Sequence, residues 1–274
     1  MNLEEPESLS EQQRGTATQV GLAPALALVN LQKSYGNVKA VDGLTLTVGQ
    51  GRFFGFLGPN GAGKTTTVKM LTGLAQPDSG TIEVLGMRLP ERSLEIRRQI
   101  GIVPDDSLLF DYLTGSEYLE FVARLYETPK AVAKARTAEL LELFELSEHR
   151  RKLIGEYSKG MRKRVAMAAA LIHRPRLFLM DEPFEGVDAV GARLMKDILL
   201  AQVRHGATVF LTSHVLDVVE RICDEIAIVK EGRIVAQGNV EQLREQATQG
   251  AATLEEIFVN LVGSSAYAGK LDWL

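Results

Sequence analysis

A glycine-rich run early in the chain has the composition and spacing of a loop that holds nucleotide phosphates. It reads Gly58-Pro59-Asn60-Gly61-Ala62-Gly63-Lys64-Thr65 and is followed by Thr66. Glycines let the backbone N–H groups close around an anion, and a helix that begins there adds the positive end of its dipole. Lys64 is placed to reach the outer phosphates, and Thr65 offers a hydroxyl to Mg²⁺. The run therefore predicts binding of ATP or GTP together with Mg²⁺.

Two carboxylates, Asp181 and Glu182, directly follow the apolar run 177–180. Open α/β sheets bind their ligands at the carboxyl ends of the strands, so both side chains are expected at such an edge. We assign Asp181 to the Mg²⁺ shell and Glu182 to polarising the water that attacks the γ-phosphate. The structural alternative is an ordinary acidic pair at a strand end, and the phosphate loop upstream favours the catalytic interpretation.

A second β-rich run, 208–212, ends in Ser213 and His214. If it lies in the same sheet, His214 can hydrogen-bond the γ-phosphate or the attacking water and hold them in line. The other histidines have no such setting and are predicted at the surface or at helix ends: His149, His173 and His205.

These residues need a sheet with helices to position them, and the chain supplies the pattern. Strands are predicted over 25–31, 41–48, 52–57 and 81–85, with a helix over 64–72 that Gly73 ends. Later the order is helix 159–173, strand 177–180, a helix from 189 to Gly206 and strand 208–212, which is typical of a parallel sheet. A hairpin around Glu231-Gly232 joins 226–229 to 234–236.

A helical insert interrupts this alternation at about 106–157. Thr114 with Glu117 forms a capping box before a helix over 115–127, and Pro129 is predicted at the first helical position of a helix that runs to about 146. Another capping box, Thr253 with Glu256, predicts an amphipathic helix within a C-terminal extension, 244–274. Residues 1–24 are polar and acidic, which predicts a flexible tail.

The bulk composition bounds the class of protein. The chain has 274 residues, 45% of them hydrophobic, enough for one good core with a smaller lobe. A formal net charge of −4 argues against broad electrostatic binding to nucleic acid, so no nucleic-acid partner is expected. The basic runs 149–152 and 162–164 are interpreted as solvated faces.

The chain is expected to be cytosolic. Its one cysteine, Cys223, excludes an intrachain disulfide, fits a reducing compartment, and has apolar neighbours that favour a packed thiol. Glu4, Glu5 and Glu7 stand where a secretory signal needs positive charge, and the weakly polar run 20–31 is too short to span a bilayer.

One further motif completes a resemblance to a known family. Ser158 and Gly160 begin the predicted helix 159–173, and alone they would be an ordinary helix start. The ordered set of phosphate loop, helical insert, Ser158/Gly160, Asp181-Glu182, the turn 185–188 and His214 resembles the ATP-binding cassette family over residues 25–243. The resemblance implies an α/β P-loop NTPase fold with a mixed or parallel central sheet, an N-terminal antiparallel β subdomain and an inserted helical subdomain.

The resemblance also implies roles and partners. Tyr35 would stack on adenine, and Ser158 and Gly160 would contact the γ-phosphate held by a second subunit, so that two copies clamp two ATP molecules. Asp188 would lie at that interface. An integral membrane permease subunit would be the further partner, which would place the chain peripherally on the inner face of the cell membrane.

Two positions depart from the family pattern. Lys159 and Met161 replace the first Gly and the Gln of the usual Leu-Ser-Gly-Gly-Gln, and a Tyr-Ser-x-Gly-Met form is familiar among ATPases of bacterial exporters. Asp105 stands where the family generally has a glutamine that senses Mg²⁺. Its carboxylate can still bind the metal, directly or through water.

The function predicted from these residues is ATP hydrolysis that drives a separate transmembrane subunit, for export. A soluble cassette protein acting on ribosomes or DNA is the alternative, although such relatives usually carry two cassettes, long coiled coils or basic arms. A nucleotide-dependent kinase is a third possibility, and it would leave Ser158 and Gly160 unexplained.

Overall fold

The computed structural model describes residues 23–105, 109–246 and 253–263. Nearly all of the predicted tail, 1–24, therefore lies outside the described residues. The same holds for the first three residues of the predicted insert, 106–108, and for much of the C-terminal extension. Within the described ranges, no helix is long and apolar enough to cross a membrane.

The described chain alternates strands and helices. The strands are β1 (Leu26–Tyr35), β2 (Val38–Val48), β3 (Phe53–Leu57), β4 (Ser79–Val84), β5 (Met87–Leu89), β6 (Ile100–Val103), β7 (Leu177–Asp181), β8 (Thr208–Ser213), β9 (Glu225–Lys230) and β10 (Arg233–Gly238). The helices are α1 (Lys64–Leu71), α2 (Ser93–Arg97), α3 (Gly115–Leu125), α4 (Lys130–Leu143), α5 (Lys159–Leu171), α6 (Ala189–Arg204), α7 (Leu216–Ile222), α8 (Val240–Gln246) and α9 (Leu254–Val262).

The strands form two sheets. A four-stranded antiparallel sheet has the order β2-β1-β4-β5, and a six-stranded sheet has the order β10-β9-β3-β8-β7-β6. The larger sheet is parallel except for β10, which pairs antiparallel with β9 in the predicted hairpin. The carboxyl ends of β3, β7 and β8 thus meet at one edge, as the sequence predicts.

The larger sheet is buried on both faces, which explains its continuous apolar runs. Along β3, Phe53 and Leu57 face one hydrophobic cluster with the helices of the insert, whereas Phe54 and Phe56 face a second cluster with the antiparallel sheet. On that second face Phe210 of β8 stacks on Phe54, with ring centroids 5.7 Å apart. The period of two along a strand therefore divides the core between the two layers.

The insert is helical, with one boundary that differs from the prediction. Thr114 and Glu117 form the predicted capping box: the Thr114 hydroxyl accepts from the Glu117 N–H at 3.2 Å, and the Glu117 carboxylate accepts from the Thr114 N–H at 2.9 Å. Pro129 is the N-cap of α4 and not its first helical residue, because its ψ of 139° is extended and only its carbonyl joins the helix.

The sequence patterns missed several short elements. The strand β6 has four residues and was not predicted, yet it forms the edge of the larger sheet beside β7. His173 lies just past the C-cap of α5, at a helix end as predicted, where it is half-buried and stacks on Tyr126 with centroids 3.6 Å apart. Burial lowers the pKa of His173 to about 4.

Cys223 is a packed thiol beside Gly55, as expected, and burial raises its pKa.

Candidate functional site

A pocket of about 740 Å³ opens at the carboxyl edge of the larger sheet. This volume suits a ligand of nucleotide size. Its lining combines the phosphate loop with residues from four other segments: Val38, Ala40, residues 59–66, Asp105, Glu182, Glu185 and His214. The structure therefore brings the loop, two of the predicted carboxylates and the predicted histidine to one cavity.

The glycines of the loop are required by its backbone. Gly63 has φ +100°, and a Cβ on it would lie 2.2 Å from the Ala40 carbonyl oxygen. Gly58 is closed in similarly, since a Cβ would lie 2.5 Å from the Val229 carbonyl oxygen. Gly63 also forms the N-cap of α1 without a side-chain hydrogen bond to the helix. The first amides of α1 are therefore available to an anionic ligand.

Lys64 is the first residue of α1 and is largely buried in the pocket. Its ammonium donates to the Gly58 carbonyl at 2.7 Å and lies 3.8 Å from a carboxylate oxygen of Glu182. Thr65, next along the helix, is exposed at the pocket lining. A phosphate entering the loop would meet Lys64 and compete with these internal partners.

β7 ends at Asp181, and Glu182, which follows it, is the one of the two that lines the pocket. A threonine of the neighbouring strand contacts both residues. The Thr212 hydroxyl donates to Asp181 Oδ1 and accepts from the Glu182 N–H, the latter at 3.2 Å. Thr212 is fully buried and pairs in register with Asp181. It was not predicted as a site residue, and the available signal was its place two residues before His214 on a predicted strand.

Glu182 is held in a conformation that non-glycine residues seldom adopt. Its φ is +45°, in the left-handed region, which costs on the order of 1–3 kcal/mol. One of its carboxylate oxygens lies 3.0 Å from His214 Nδ1 and accepts from the His214 N–H at 3.3 Å. The predicted base and the predicted histidine are therefore in direct contact.

The residues assigned to a partner's nucleotide lie outside this pocket lining. Ser158 is exposed and is the N-cap of α5, where its hydroxyl oxygen accepts from the Met161 N–H at 3.2 Å. Gly160 is buried, and a Cβ on it would lie 3.3 Å from the Gly186 carbonyl oxygen. Asp188 caps α6 through the Gly191 N–H at 2.8 Å, and this hydrogen bond lowers the pKa of its carboxyl.

Tyr35 does not line the pocket either. It is half-exposed at the end of β1 and pairs with Val38, a pocket residue. The tyrosine is therefore next to a strand residue that lines the pocket, and its stacking on adenine stays a prediction.

The basic run 162–164 is not the solvated face that the sequence predicts. Lys163 is only 2% exposed, and its ammonium donates to the carbonyls of Asp105 at 2.6 Å and Pro104 at 3.1 Å. Burial lowers the pKa of Lys163, while the charge of Asp105 opposes that shift. Lys159, four residues earlier, pairs with Glu185 at 2.8 Å and lowers the pKa of that carboxyl.

The donors near the phosphate loop fit a magnesium ion. Asp105, Asp181 and Thr65 offer carboxylate and hydroxyl oxygens, which are hard ligands that Mg²⁺ prefers. Among the described residues, no group of three or more His, Cys, Asp or Glu side chains forms a metal-binding cluster. The set present therefore suits an ion that is bound jointly with nucleotide phosphates.

A family model and the similar proteins found by comparison all point to one family. The family model described as ABC transporter matches residues 41–185. An uncharacterized ABC transporter ATP-binding protein of Nostoc sp. is 44% identical over 208 residues, which are 75% of this chain and 62% of that protein. The Nod factor export ATP-binding protein I of Ralstonia nicotianae is 38% identical over 224 residues, 82% of this chain and 70% of the relative.

A solved structure supports the fold. The ATP binding subunit of an ABC transporter superposes with a TM-score of 0.81 at 32% identity, covering 86% of this chain and 99% of that one. The predicted α/β fold, with an antiparallel sheet and a mixed sheet, is confirmed by this similarity and by the sheet topology.

Proposed function

The chain belongs to the ABC transporter family, and from this membership we propose that it is the ATP-hydrolysing subunit of an exporter. One observation carries the proposal: the phosphate loop, Glu182, His214 and Asp105 line a single pocket at the carboxyl edge of a parallel sheet. The similarity to the Nod factor export protein supports export as the direction of transport.

Phosphate binding is assigned to the loop 58–66. Its backbone amides and the amino end of α1 would surround the β- and γ-phosphates, and Lys64 would move from the Gly58 carbonyl to the γ-phosphate. Thr65 and Asp181, with Asp105 directly or through water, would hold Mg²⁺. When bound, the ion supplies positive charge against the phosphate oxygens.

Hydrolysis is assigned to Glu182 and His214. Glu182 would accept a proton from a water molecule while the oxygen of that water attacks the γ-phosphorus. The bond between the γ-phosphorus and the ADP oxygen breaks, and ADP and phosphate are released. His214 Nδ1 lies 3.0 Å from a carboxylate oxygen of Glu182, so it can orient that carboxylate. Because His214 also lines the pocket, it would donate to the γ-phosphate.

The site would be completed by a second copy of the chain. Ser158 is exposed and away from its own pocket, and its oxygen already accepts from an amide of α5. Its O–H group can still donate a hydrogen bond to a phosphate oxygen. We therefore assign Ser158 and Gly160 to the γ-phosphate of the partner in a homodimer around two ATP molecules, with Tyr35 on the adenine.

The decisive experiment is Glu182→Gln. The amide cannot take the proton, so ATP turnover should fall by about 10²- to 10⁴-fold while ATP binding stays within the wild-type range. The stalled protein should accumulate as a nucleotide-bridged dimer, measured by sedimentation with Mg-ATP. Glu139→Gln, an exposed change on α4, is the matched control and should behave as wild type. Wild-type turnover in Glu182→Gln would refute the assignment of the base.

The permease is the remaining partner. We propose that the chain works at the inner face of the membrane through an integral subunit, with the insert 106–157 forming much of the contact. Copurification with such a subunit, and ATPase activity that rises when cargo is present in liposomes, would test this assignment. Turnover that no membrane protein alters would instead favour a soluble role on ribosomes or DNA.

A further inference from the structure

A buried lysine of α5 bonds the segment that follows β6. Lys163 is 2% exposed, and its ammonium donates to two backbone carbonyls, those of Pro104 and Asp105. It also lies 3.8 Å from the Asp105 carboxylate. A buried ammonium is tolerated only where partners replace its water, and this segment supplies them.

The carbonyls of Pro104 and Asp105 lie just past the end of the β6–β7 ladder, which therefore does not supply their hydrogen bonds. β6 is the edge strand, and its ladder with β7 ends at the pair Val103–Met180. The chain continues past that pair through Pro104 and Asp105. Lys163 therefore takes over as hydrogen-bond donor to backbone that has just left the ladder.

The same segment borders the nucleotide pocket. Asp105 lines the cavity with Glu182 and Glu185, so a triphosphate would enter beside three carboxylates. The Lys163 ammonium lies 3.8 Å from the Asp105 carboxylate, and Lys159 of the same helix pairs with Glu185. Two positive charges of α5 thus offset carboxylates of the chain's own pocket.

We propose that Lys163 is a positioning residue, which fixes the segment 104–105 at the mouth of the pocket and so sets where the Asp105 carboxylate meets Mg²⁺-nucleotide. Lys163 does not line the pocket, so it acts through Asp105. The inference rests on the proposed function for the identity of the ligand. The contact between Lys163 and the segment involves atoms of the chain alone.

The first test needs neither nucleotide nor metal. Lys163→Met removes the charge and the donors at similar length, and hydrogen–deuterium exchange is followed in the full chain. Amides of Val103 and Asp105 should exchange about tenfold faster, because the segment loses its anchor. Lys134→Met, the same change at an exposed position of α4, should leave their exchange unaltered.

The second test reads the metal dependence of turnover. In Lys163→Met the Mg²⁺ concentration for half-maximal ATP turnover should rise about tenfold, since a small displacement of a positioned group costs this much or more. Asp105→Ala should give a similar rise, and the double variant no more than either single one, because both changes remove one interaction. ATP affinity without Mg²⁺ should change less than about threefold, because the phosphate loop is untouched.

The outcomes separate the inference from the proposed function. Unaltered exchange in Lys163→Met, or Mg²⁺ effects that multiply in the double variant, would overturn the role of Lys163. If Lys163→Met lowers the folding stability but leaves the Mg²⁺ concentration for half-maximal turnover unchanged, the role of Lys163 is likewise overturned. If Lys163→Met does not fold, Lys163→Gln, which keeps N–H donors without the charge, should show intermediate values of both quantities. An inactive wild type would defeat the proposed function instead and leave the exchange test intact.

Discussion

At the residue scale, Thr212 connects the groups on which the proposed chemistry depends. Its hydroxyl donates to the Asp181 carboxylate and accepts from the amide of Glu182. Because Thr212 is fully buried, neither contact competes with bulk water. One side chain of β8 therefore holds both the predicted metal ligand and the strained backbone of the predicted base.

Thr212→Val tests this role. The variant keeps the shape of the side chain but leaves the Asp181 carboxylate and the Glu182 amide without that hydroxyl. The free energy of unfolding should fall by about 1–3 kcal/mol. ATP turnover should fall by about tenfold or more, since the carboxylates lose their alignment. Urea denaturation and steady-state kinetics measure the two effects.

Thr208→Val is the matched control for this prediction. Thr208 lies at the opposite end of β8 and is also buried, and its hydroxyl accepts from the Gly51 N–H at 2.9 Å. Its loss should cost comparable stability with turnover unchanged. Equal losses of turnover in the two variants would show that weakening of β8, and not alignment of the carboxylates, explains the effect.

At the scale of elements, helix amino ends divide into two kinds. The N-cap of α1 is Gly63, which has no side chain to bond the first amides of the helix and leaves them for the ligand of its own pocket. α5 is capped by Ser158, and α3 is closed by its own capping box. A capped helix can still offer a hydroxyl hydrogen, so Ser158 can stabilise α5 and contact a partner's phosphate at once.

Ser158→Asp separates the two roles of this residue. Aspartate caps helices about as well as serine, so the free energy of unfolding should stay within about 0.5 kcal/mol of wild type. Its charge would repel the partner's γ-phosphate, and the ATP-dependent dimer should be lost. Sedimentation with Mg-ATP in a Glu182→Gln background measures the dimer. Ser158→Thr, which keeps both cap and hydroxyl, should retain it; a dimer that survives Ser158→Asp would exclude the assigned contact.

At the scale of the whole molecule, the turn of the β9–β10 hairpin joins the two sheets to the phosphate loop. The Gly232 N–H donates to the Ala62 carbonyl at 3.1 Å, and the Gly232 carbonyl accepts from the Asp42 N–H at 3.0 Å. Arg233 next to it pairs with Asp42 at 2.7 Å. The loop therefore keeps its shape partly through contacts from the hairpin that pairs beside β3.

Gly232→Ala should weaken this junction. Gly232 has φ +76°, and a Cβ would lie 2.9 Å from the Ala40 carbonyl oxygen, so the change adds a backbone clash to left-handed strain. Gly36→Ala is the control, with φ +57° and nothing within 4 Å of the added atom. The control should cost about 1 kcal/mol of unfolding free energy. Gly232→Ala should cost roughly 1–3 kcal/mol more, measured by urea denaturation.

Affinity for ATP should also fall in Gly232→Ala and stay unchanged in Gly36→Ala, because only the former turn bonds the loop at Ala62. Equal stability and equal affinity in both variants would mean that the hairpin does not support the loop.

Local chemistry explains what was predictable. The phosphate loop, both capping boxes and the buried strands β7 and β8 depend on residues close together in sequence, and their predicted positions agree with the structure within a few residues. The four-residue strand β6 was missed because its pairing with β7 spans more than seventy positions of chain. A run so short carries too little periodicity to be assigned alone.

The family, the fold class and the residues nominated for the site could be predicted from the chain alone, because spaced glycines, a lysine and carboxylates after apolar runs carry their chemistry in order along the chain. The tertiary structure alone decided that Lys163 is buried against the Asp105 segment and that Thr212 bonds both Asp181 and Glu182. These contacts join segments distant in sequence, and burial and hydrogen bonding depend on which segments meet in space. No local sequence pattern specifies which distant segments come into contact.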